Sequence, residues 1–532
     1  MMITPGFFSF FNTHRALVAA QNALSTVNQN VSNVNTPGYS RQRVELKAHD
    51  AYHSPNLTQQ MGGQIGQGVI VDSVKRIHDN FLDAQFRSQN GLLGMNQMTR
   101  DILQQIQSVI VEPSDSGISS AIQNFFDAAQ ELSIHPESLA VRSDFIQQSS
   151  DLLTIFQQQT AQLSTLRQNM VGDPSIPGSI TNSQMAIAVD QVNDYLQSIT
   201  QINKQIITIT ASGAQPNDLL DQRDQLLDEL SQLIDINVTH LDNNMVNVSI
   251  GDDLSSPGSG IQVIRGAQLI DTLEVVPNTG PPPIGTPEEY DVPAFIQTVN
   301  GGVVLNDYTG FEISSGKIKG LINGGQNDAT DPTQVNVRTI LTDLDTLFTQ
   351  LATQINALQT TGRDLNGNVN GLELYVTPPA VPPGTDPIQI SNWAINPLFL
   401  DPLTGPHLVA AAEDDPLASG PPAGWAGTGD GRNALSMAQL KDAGIAGLGN
   451  TTFTEYFNGA VSSLGIRTRT FENQSNSQGQ VIQSLETQRQ SVQGVNIDEE
   501  MIDMIRYQRA FEASSKAMGV LDEIIQTIIN MT

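Results

Sequence analysis

The most regular hydrophobic patterns lie at the two ends of the chain. Near the N-terminus apolar residues recur every seven positions, which is the pattern of a helix that packs along another helix. The predicted seam positions are Phe10, Leu17, Leu24 and Val31, and a second row of the same stripe follows three positions later at Thr13, Ala20, Val27 and Val34. Because proline disfavours helix at the residue before it and glycine permits a turn, we expect a helix of about 25 residues that stops at Asn35-Thr36-Pro37-Gly38.

The C-terminal end repeats this pattern. Its predicted seam positions are Ile497, Met504, Phe511, Met518 and Ile525. The acids Asp498, Glu499 and Glu500 fall in the first turn, where the helix dipole favours negative charge. Either stripe alone fits one helix on a globular core, but two matched stripes favour a coiled coil between the termini. Residues 1–49 carry a net charge of +3 and residues 490–532 one of −4, which suits neighbouring helices.

The middle of the chain alternates between two patterns. Rows of Leu and Ile at helical spacing predict helices over 90–235, over 335–360 and again from 431, whereas alternating residues near 238–250 predict a hairpin. We therefore predict a multidomain, mainly α chain with nested β-rich insertions. The predicted domains are a terminal coiled coil (1–48 with 494–532), a rod-like helical bundle (49–235 with 331–372 and 431–493), a β-rich domain (236–330) and a small Pro/Gly-rich β insertion (373–430).

Composition narrows the function classes. The chain has 532 residues, and this length predicts about three or four domains. A formal net charge of −30 disfavours nucleic acid and anionic membrane surfaces as partners. The absence of cysteine excludes disulfides, thiol nucleophiles and Cys-ligated zinc. No run of 18 apolar residues occurs, so no membrane insertion is expected, and no basic segment precedes Arg15 as a cleaved secretory signal would require.

No motif in the chain meets the requirements of a catalytic, metal or cofactor site. Residues 310–317 resemble a phosphate-binding loop but have five residues between the glycines, and no hydroxyl follows the lysine. Residues 364–375 alternate oxygen-bearing side chains but lack the glycine and glutamate of an EF-hand, so a tight turn is expected. His49 and His53 share helical spacing without the glutamate of a zinc protease. We therefore expect a structural protein and not an enzyme.

Two longer strings resemble a known family. Residues 30–42 and residues 494–511 resemble the N-terminal and C-terminal signatures of the axial proteins of the bacterial flagellum, which comprise rod, hook and hook-associated proteins. The matching positions are Asn33, Asn35, Thr36, Pro37, Gly38, Tyr39, Val495, Asn496, Asp498, Glu499, Glu500, Tyr507 and Gln508. The family often has Asn-Leu where Asp503-Met504 stand and Tyr where Phe511 stands. The fuller strings are those of the hook-associated members.

The resemblance implies a structural role at the junction between hook and filament. It implies export, unfolded, through the flagellar type III apparatus, with a passage through the cytoplasm before an extracellular position in the flagellum. It also implies self-assembly in a tubular lattice, whose inner tube the paired terminal helices line. The implied partners are the hook protein, the other hook–filament junction protein and an export chaperone that holds the C-terminal region. The alternatives are another axial protein, such as the hook protein, and a cytosolic coiled-coil scaffold.

Two further expectations concern order and dispensability. An isolated helix pair with a narrow apolar stripe buries little surface, so residues 1–45 and 495–532 are expected to be unfolded in the free chain and to order on assembly. Residues 376–425 carry no family landmark, and their deletion is expected to leave motility largely intact.

Overall fold

A computed structural model gives the fold of the chain. It describes all residues except 1–4, 52–65, 113, 115–116, 254–259, 278–293, 306–310, 326–334, 370, 378–389, 419–421 and 532. His53 and Gly310, which belong to two of the rejected motifs, lie outside the described residues. None of the helices it describes is long and apolar enough to cross a bilayer.

Helices make up most of the described chain. The α-helices are α1 (Pro5–Ser32), α2 (Asn80–Val109), α3 (Ile118–Ile134), α4 (Leu139–Val171), α5 (Gln184–Ala211), α6 (Asn217–Leu233), α7 (Gly316–Gly325), α8 (Val337–Thr361), α9 (Arg432–Gln439), α10 (Phe453–Gln493) and α11 (Ile497–Met531). The mainly α prediction is therefore confirmed. Proline and glycine mark the ends of two of these helices, since α3 stops just before His135-Pro136 and α4 stops at Gly172, whose φ is 86°.

Strands form small antiparallel sheets among these helices. The strands are β1 (Gln42–Ala48), β2 (Val69–Arg76), β3 (Ile236–His240), β4 (Val246–Ile250), β5 (Asp252–Asp253), β6 (Ile261–Arg265), β7 (Gln268–Leu269), β8 (Leu273–Pro277), β9 (Ala294–Thr298), β10 (Phe311–Glu312), β11 (Tyr375–Val376) and β12 (Ala394–Ile395). The largest described sheet has the order β3-β4-β6-β7. The predicted hairpin is its β3–β4 pair, and Asn244 in the turn has a φ of 63°, a conformation that Asn tolerates.

The helical domain is built on a long core around α2, α4 and α8. Helix α2 packs against α6, α7 and α10, while α3 packs against α4 and α9. The buried aromatic side chains Phe125, Phe145, Phe156 and Phe348 fill the centre of the helical layers. Helix α7 approaches α2 closely, because a Cβ atom at Gly320 would lie only 2.7 Å from the Cβ of Met98. Helix α7 therefore packs as part of the helical domain.

Two sequence-based descriptions need correction. The range 373–430 is not β-rich: its described part contains only β11 and β12, two residues each, and it packs in irregular conformation against α4 and α8. The β-rich range 236–330 also contains a helix, α7. The β1–β2 hairpin was not predicted either, and it crosses the predicted domain boundary between residues 48 and 49.

Candidate assembly site where the chain termini meet

Helices α1 and α11 pack along each other, and the end of α1 meets the start of α11, so the pair is antiparallel. On α1 the buried positions include Ala20, Ala23, Val27 and Asn30. The larger predicted seam residues Phe10, Leu17, Leu24 and Val31 are only half-buried beside this row. Small side chains let helix backbones approach closely, which explains why the second row of the predicted stripe, with Ala20 and Val27, is the more buried one.

The face that α11 turns towards α1 follows the predicted heptads over most of its length. Met504, Phe511, Met518 and Ile525 are half-buried, as is Tyr507, whereas most other described residues of the helix are exposed. Ile497 does not join this face, because its side chain is 46% exposed. Three positions later Glu500 is buried instead, so the first turn of α11 makes a polar contact and not an apolar one.

Asn30 is the buried hub of this polar contact. Its Nδ2 donates to the carbonyl of Gln42 at 2.9 Å and to Glu500 Oε2 at 3.0 Å. Its Oδ1 accepts from the backbone N–H of Gln42 at 3.0 Å and from the hydroxyl of Tyr39 at 2.9 Å. A buried amide with all its groups paired fixes its partners in one arrangement. Asn30 therefore ties the turn after α1, strand β1 and the start of α11 together.

Arg41 makes the second link between the two ends. Its Nε lies 2.6 Å from Glu500 Oε1 and its Nη1 lies 2.6 Å from Glu499 Oε2. The backbone N–H of Arg41 donates to the carbonyl of Gln493 at 2.8 Å, at the end of α10. Although burial lowers the pKa of the Arg41 guanidinium, the two glutamates raise it more, so its pKa lies above the ordinary value. Two glutamates of the C-terminal signature thus stabilise the positive charge of Arg41.

The remaining signature residues fall into two groups. In the first turn after α1, Thr36 donates from its backbone N–H to the carbonyl of Asn33 at 2.9 Å, and Gly38 has a φ of 75° that a side chain would strain. Before α11, Asn496 Oδ1 accepts from the backbone N–H of Asp498 at 3.0 Å. The side chains of Asn35, Thr36, Pro37 and Gln508 are exposed, and the structure does not bring them to the buried junction.

Both signatures also line one open cleft of about 850 Å³. The lining of this cleft includes residues 34–40 and residues 494–495, among them Val495, together with residues of α2, α6 and α10. Arg76 also lines the cleft, with its Nη1 2.9 Å from Asp221 and its Nη2 2.6 Å from Asp224. These aspartates were not predicted from the sequence, because the helical spacing of the leucines in α6 identifies its apolar face and says nothing about the partners of its polar residues.

Large apolar side chains remain uncovered on the side of α11 that points away from α1. We call Ile502, Ile505, Val520 and Ile524 the outer row. Their exposed fractions are 66%, 49%, 56% and 49%. An apolar row of this kind on a helix indicates a surface that another protein covers. Within the described residues no His, Asp and Glu side chains are grouped in threes that could hold a metal ion.

Known proteins resemble the chain over almost its whole length. Residues 103–375 match the family described as "Flagellar hook-associated protein FlgK helical domain", and residues 486–531 match "Flagellar basal body rod FlgEFG protein C-terminal". The chain is 27% identical to flagellar hook-associated protein 1 of Bacillus subtilis (strain 168) over 537 residues, which cover 99% of each. It is 26% identical to the Salmonella typhimurium protein of that name over 579 residues, which cover 97% of this chain and 98% of the relative.

A solved structure shares the fold. The flagellar hook junction protein FlgK from Burkholderia pseudomallei superposes with a TM-score of 0.57 at 17% identity. The superposition covers 77% of this chain and 100% of the other. At this identity the similarity concerns the fold alone.

Proposed function

This chain belongs to the FlgK family of flagellar hook-associated proteins, structural proteins of the junction between hook and filament, and from that premise we propose that it assembles there through its paired terminal helices. The observation that carries the proposal is the outer row of α11. Helix α1 covers one face of α11 and leaves Ile502, Ile505 and Val520 exposed. Covering each such side chain is worth about 1–2 kcal/mol, so copies that pack side by side gain from every turn of the helix.

The two signatures serve this assembly in different ways. Asn30, Tyr39, Arg41 and Glu500 hold the helix pair together at one end. The exposed turn residues Asn35, Thr36 and Pro37 are free to contact a neighbouring subunit. The proposed role is structural, without a catalytic step or a cofactor.

The proposal extends to partners and location. The subunits form a tubular lattice, with the hook protein on one side and the other hook–filament junction protein on the other. Before assembly the chain passes through the cytoplasm, where an export chaperone covers its C-terminal region, and leaves unfolded through the flagellar type III apparatus to reach the outside of the cell. The exposed apolar row of α11 supports a need for such a cover. Order in α1 and α11 is completed when lattice neighbours pack on them.

The test uses hooks isolated from cells that lack the gene. Purified chain is added to these hooks, followed by the second junction protein and flagellin, and filament length is measured by electron microscopy. The proposal expects filaments only when the chain is present. Filaments of normal length without it would rule out the junction role, and a mutant that makes no hooks would identify a hook protein instead.

A further inference from the structure

Four aspartates share one side of α6. Asp218, Asp221, Asp224 and Asp228 follow each other at intervals of three, three and four residues, which places them on one face of a helix. We call them the α6 acidic face. Their partners come from segments that are far apart in sequence.

The first half of the α6 acidic face holds the segment that follows α1. Asp218 Oδ1 accepts from Nε2 of Gln42 at 3.1 Å, and Asp221 Oδ2 accepts from the backbone N–H of Ser40 at 3.0 Å. Ser40 directly follows Tyr39 of the N-terminal signature. The turn after α1 and strand β1 are thereby fixed to α6.

The middle of the α6 acidic face holds the β1–β2 hairpin. The guanidinium of Arg76, the last residue of β2, bridges Asp221 and Asp224 at 2.9 and 2.6 Å. Asn217 adds a hydrogen bond from its Nδ2 to the carbonyl of Val74 at 2.8 Å. Both strands of the hairpin are thus bonded to the same helix.

The last of the four aspartates joins α6 to the two helices beside it. Asp228 Oδ1 lies 2.7 Å from Arg87 Nε of α2, and its Oδ2 lies 2.9 Å from Arg489 Nη2 of α10. Helix α10 ends at Gln493, whose carbonyl accepts from the backbone N–H of Arg41. The segment that follows α1 and the helix that precedes α11 are therefore both anchored to the α6 acidic face.

Asp221 and Asp224 are buried, and the ion pair of each with Arg76 lies in this buried part of the α6 acidic face, whereas Asp218 is exposed and accepts a hydrogen bond from a neutral amide. Burial raises the pKa of Asp224, but Arg76, Arg223 and Arg87 lower it more, so its pKa lies below the ordinary value and the carboxylate stays charged. A charge in such a place needs its partners at hydrogen-bonding distance, because an unpaired buried charge is strongly unfavourable. Asp221 and Asp224 together thus hold the guanidinium of Arg76 in one position.

We infer that the α6 acidic face is a positioning device for assembly, which fixes the direction in which both chain termini leave the helical domain. The inference rests on the proposed function, since a fixed direction matters where identical subunits meet at one angle. Without these bonds, two segments of chain with few contacts would connect the terminal helices to the helical domain. Domains joined in that way vary in orientation. Asp221 is the central positioning residue, and it acts through Ser40 and Arg76.

The test measures the position of the hairpin on the helical domain. Because the chain has no cysteine, Lys47→Cys on β1 and Gln147→Cys on α4 give two unique sites for spin labels on exposed side chains. Double electron–electron resonance of the full chain should give one narrow distance distribution. Asp221→Ala should broaden and shift it, while Glu229→Ala, an exposed acid on the same helix, should leave it unchanged. Asp221→Asn should fall between them, because its amide oxygen still accepts from Ser40 but forms no ion pair with Arg76.

The outcomes separate this inference from the proposed function. A broad distribution in the parent, or an unchanged one in both Asp221 variants, would overturn the positioning role. Labelled proteins are also added to hooks that lack the junction. If the parent supports no filament growth, the proposed function fails while the distances still test the fixed position. Reduced growth with Asp221→Ala supports the role in assembly, and full growth despite a broadened distribution would overturn it.

Discussion

Arg41 and Glu500, which are 459 positions apart in sequence, form the contact at which the two ends of the chain meet. Arg41 Nε lies 2.6 Å from Glu500 Oε1, and the side chain of Glu500 is only 2% exposed. The other oxygen of that carboxylate accepts from Asn30. Each terminal signature thus supplies one member of a buried ion pair, and neither string forms this site alone.

Replacement of Arg41 by Ala should loosen the start of α11. The variant leaves the carboxylate of Glu500 buried with only Asn30 as a partner, at a cost of about 3 kcal/mol. We expect faster hydrogen exchange over the first two turns of α11 and weaker assembly on hooks. Arg43→Ala, which removes an exposed cation two residues away, is the matched control. Equal exchange rates in the two variants would contradict the proposed link.

Deletion of residues 376–425 should destabilise the helical domain, contrary to the sequence-based expectation that it is dispensable. Arg142 of α4 is buried, and burial lowers its pKa to about 10. Its Nη1 donates to the carbonyls of Pro406 and Val409 at 3.3 and 2.6 Å. The deletion removes both acceptors and uncovers the side of α4 on which they lie. A fall in the thermal transition of the truncated chain, measured by calorimetry, checks this prediction.

A point variant separates the loss of these bonds from the loss of chain. Arg142→Met keeps much of the buried volume but removes the donor to the carbonyls of Pro136, Pro406 and Val409, of which Val409 still accepts from the backbone N–H of Ala411. Each buried carbonyl left unpaired costs about 1–3 kcal/mol. Arg469→Met, at an exposed position of α10, is the control. A truncated chain with an unchanged thermal transition and normal filaments would restore the original expectation.

The repeats along each helix were readable from the sequence, whereas contacts between distant segments were not. The heptads of α11 identify its face towards α1 because that helix packs on one partner only. On α1 the heptads predicted two rows, and the row with Ala20 and Val27 is buried, whereas the row of larger residues is only half-buried. Strand β1 carried a local signal that was not used, since Arg43, Glu45 and Lys47 alternate with apolar residues, but nothing local identifies its partner, which lies about 20 residues later.

The polar part of the site had no local signal at all. Asp221 bonds Ser40 and Arg76 from 181 and 145 positions away, and no spacing rule reaches so far. The expectation that residues 1–45 and 495–532 are unfolded in the free chain stays a prediction for α1 and α11. Protected amides in both helices of the free parent chain would contradict it, and only in that case do exchange rates distinguish the variants of the helix pair. The bonds of Ser40 and Gln42 to α6 favour a boundary of order just before Ser40.

Asp235, between α6 and β3, should make stability depend on pH in mildly acidic solution. Burial raises its pKa from 3.8 to about 6, although Ser314 donates two hydrogen bonds to its Oδ2. The folded chain therefore binds this proton more tightly than the unfolded chain does. The resulting stability is fully present below the unfolded pKa of 3.8 and is lost as the pH rises through about 6, an effect of about 3 kcal/mol.

Asp235→Asn should remove this pH dependence. Urea unfolding at several pH values between 4 and 8 gives the free energy of unfolding of variant and parent. The difference between them should shift in favour of the variant as the pH rises, mainly between pH 4 and pH 6. Asp190→Asn, at an exposed position of α5, should show a constant difference. A constant difference for Asp235→Asn as well would mean that this carboxyl titrates alike in both states.

Charges placed on the two faces of α11 should have different effects, which distinguishes pairing within a subunit from contact between subunits. Phe511 lies on the face towards α1, and an Asp there puts a charge into the helix pair at a cost of several kcal/mol. Val520 belongs to the outer row, so Val520→Asp should leave the pair intact and block packing by a neighbouring subunit. Ser515→Asp, an exposed polar site between them, is the control.

Purified variants are added to hooks that lack the junction, which bypasses export and any chaperone. In a free chain whose α1 and α11 are already paired, hydrogen exchange in α1 should rise only in Phe511→Asp. Filament growth should fail in both Phe511→Asp and Val520→Asp, whether or not the pair forms before assembly. Normal growth with Val520→Asp would show that the outer row is not the surface between subunits.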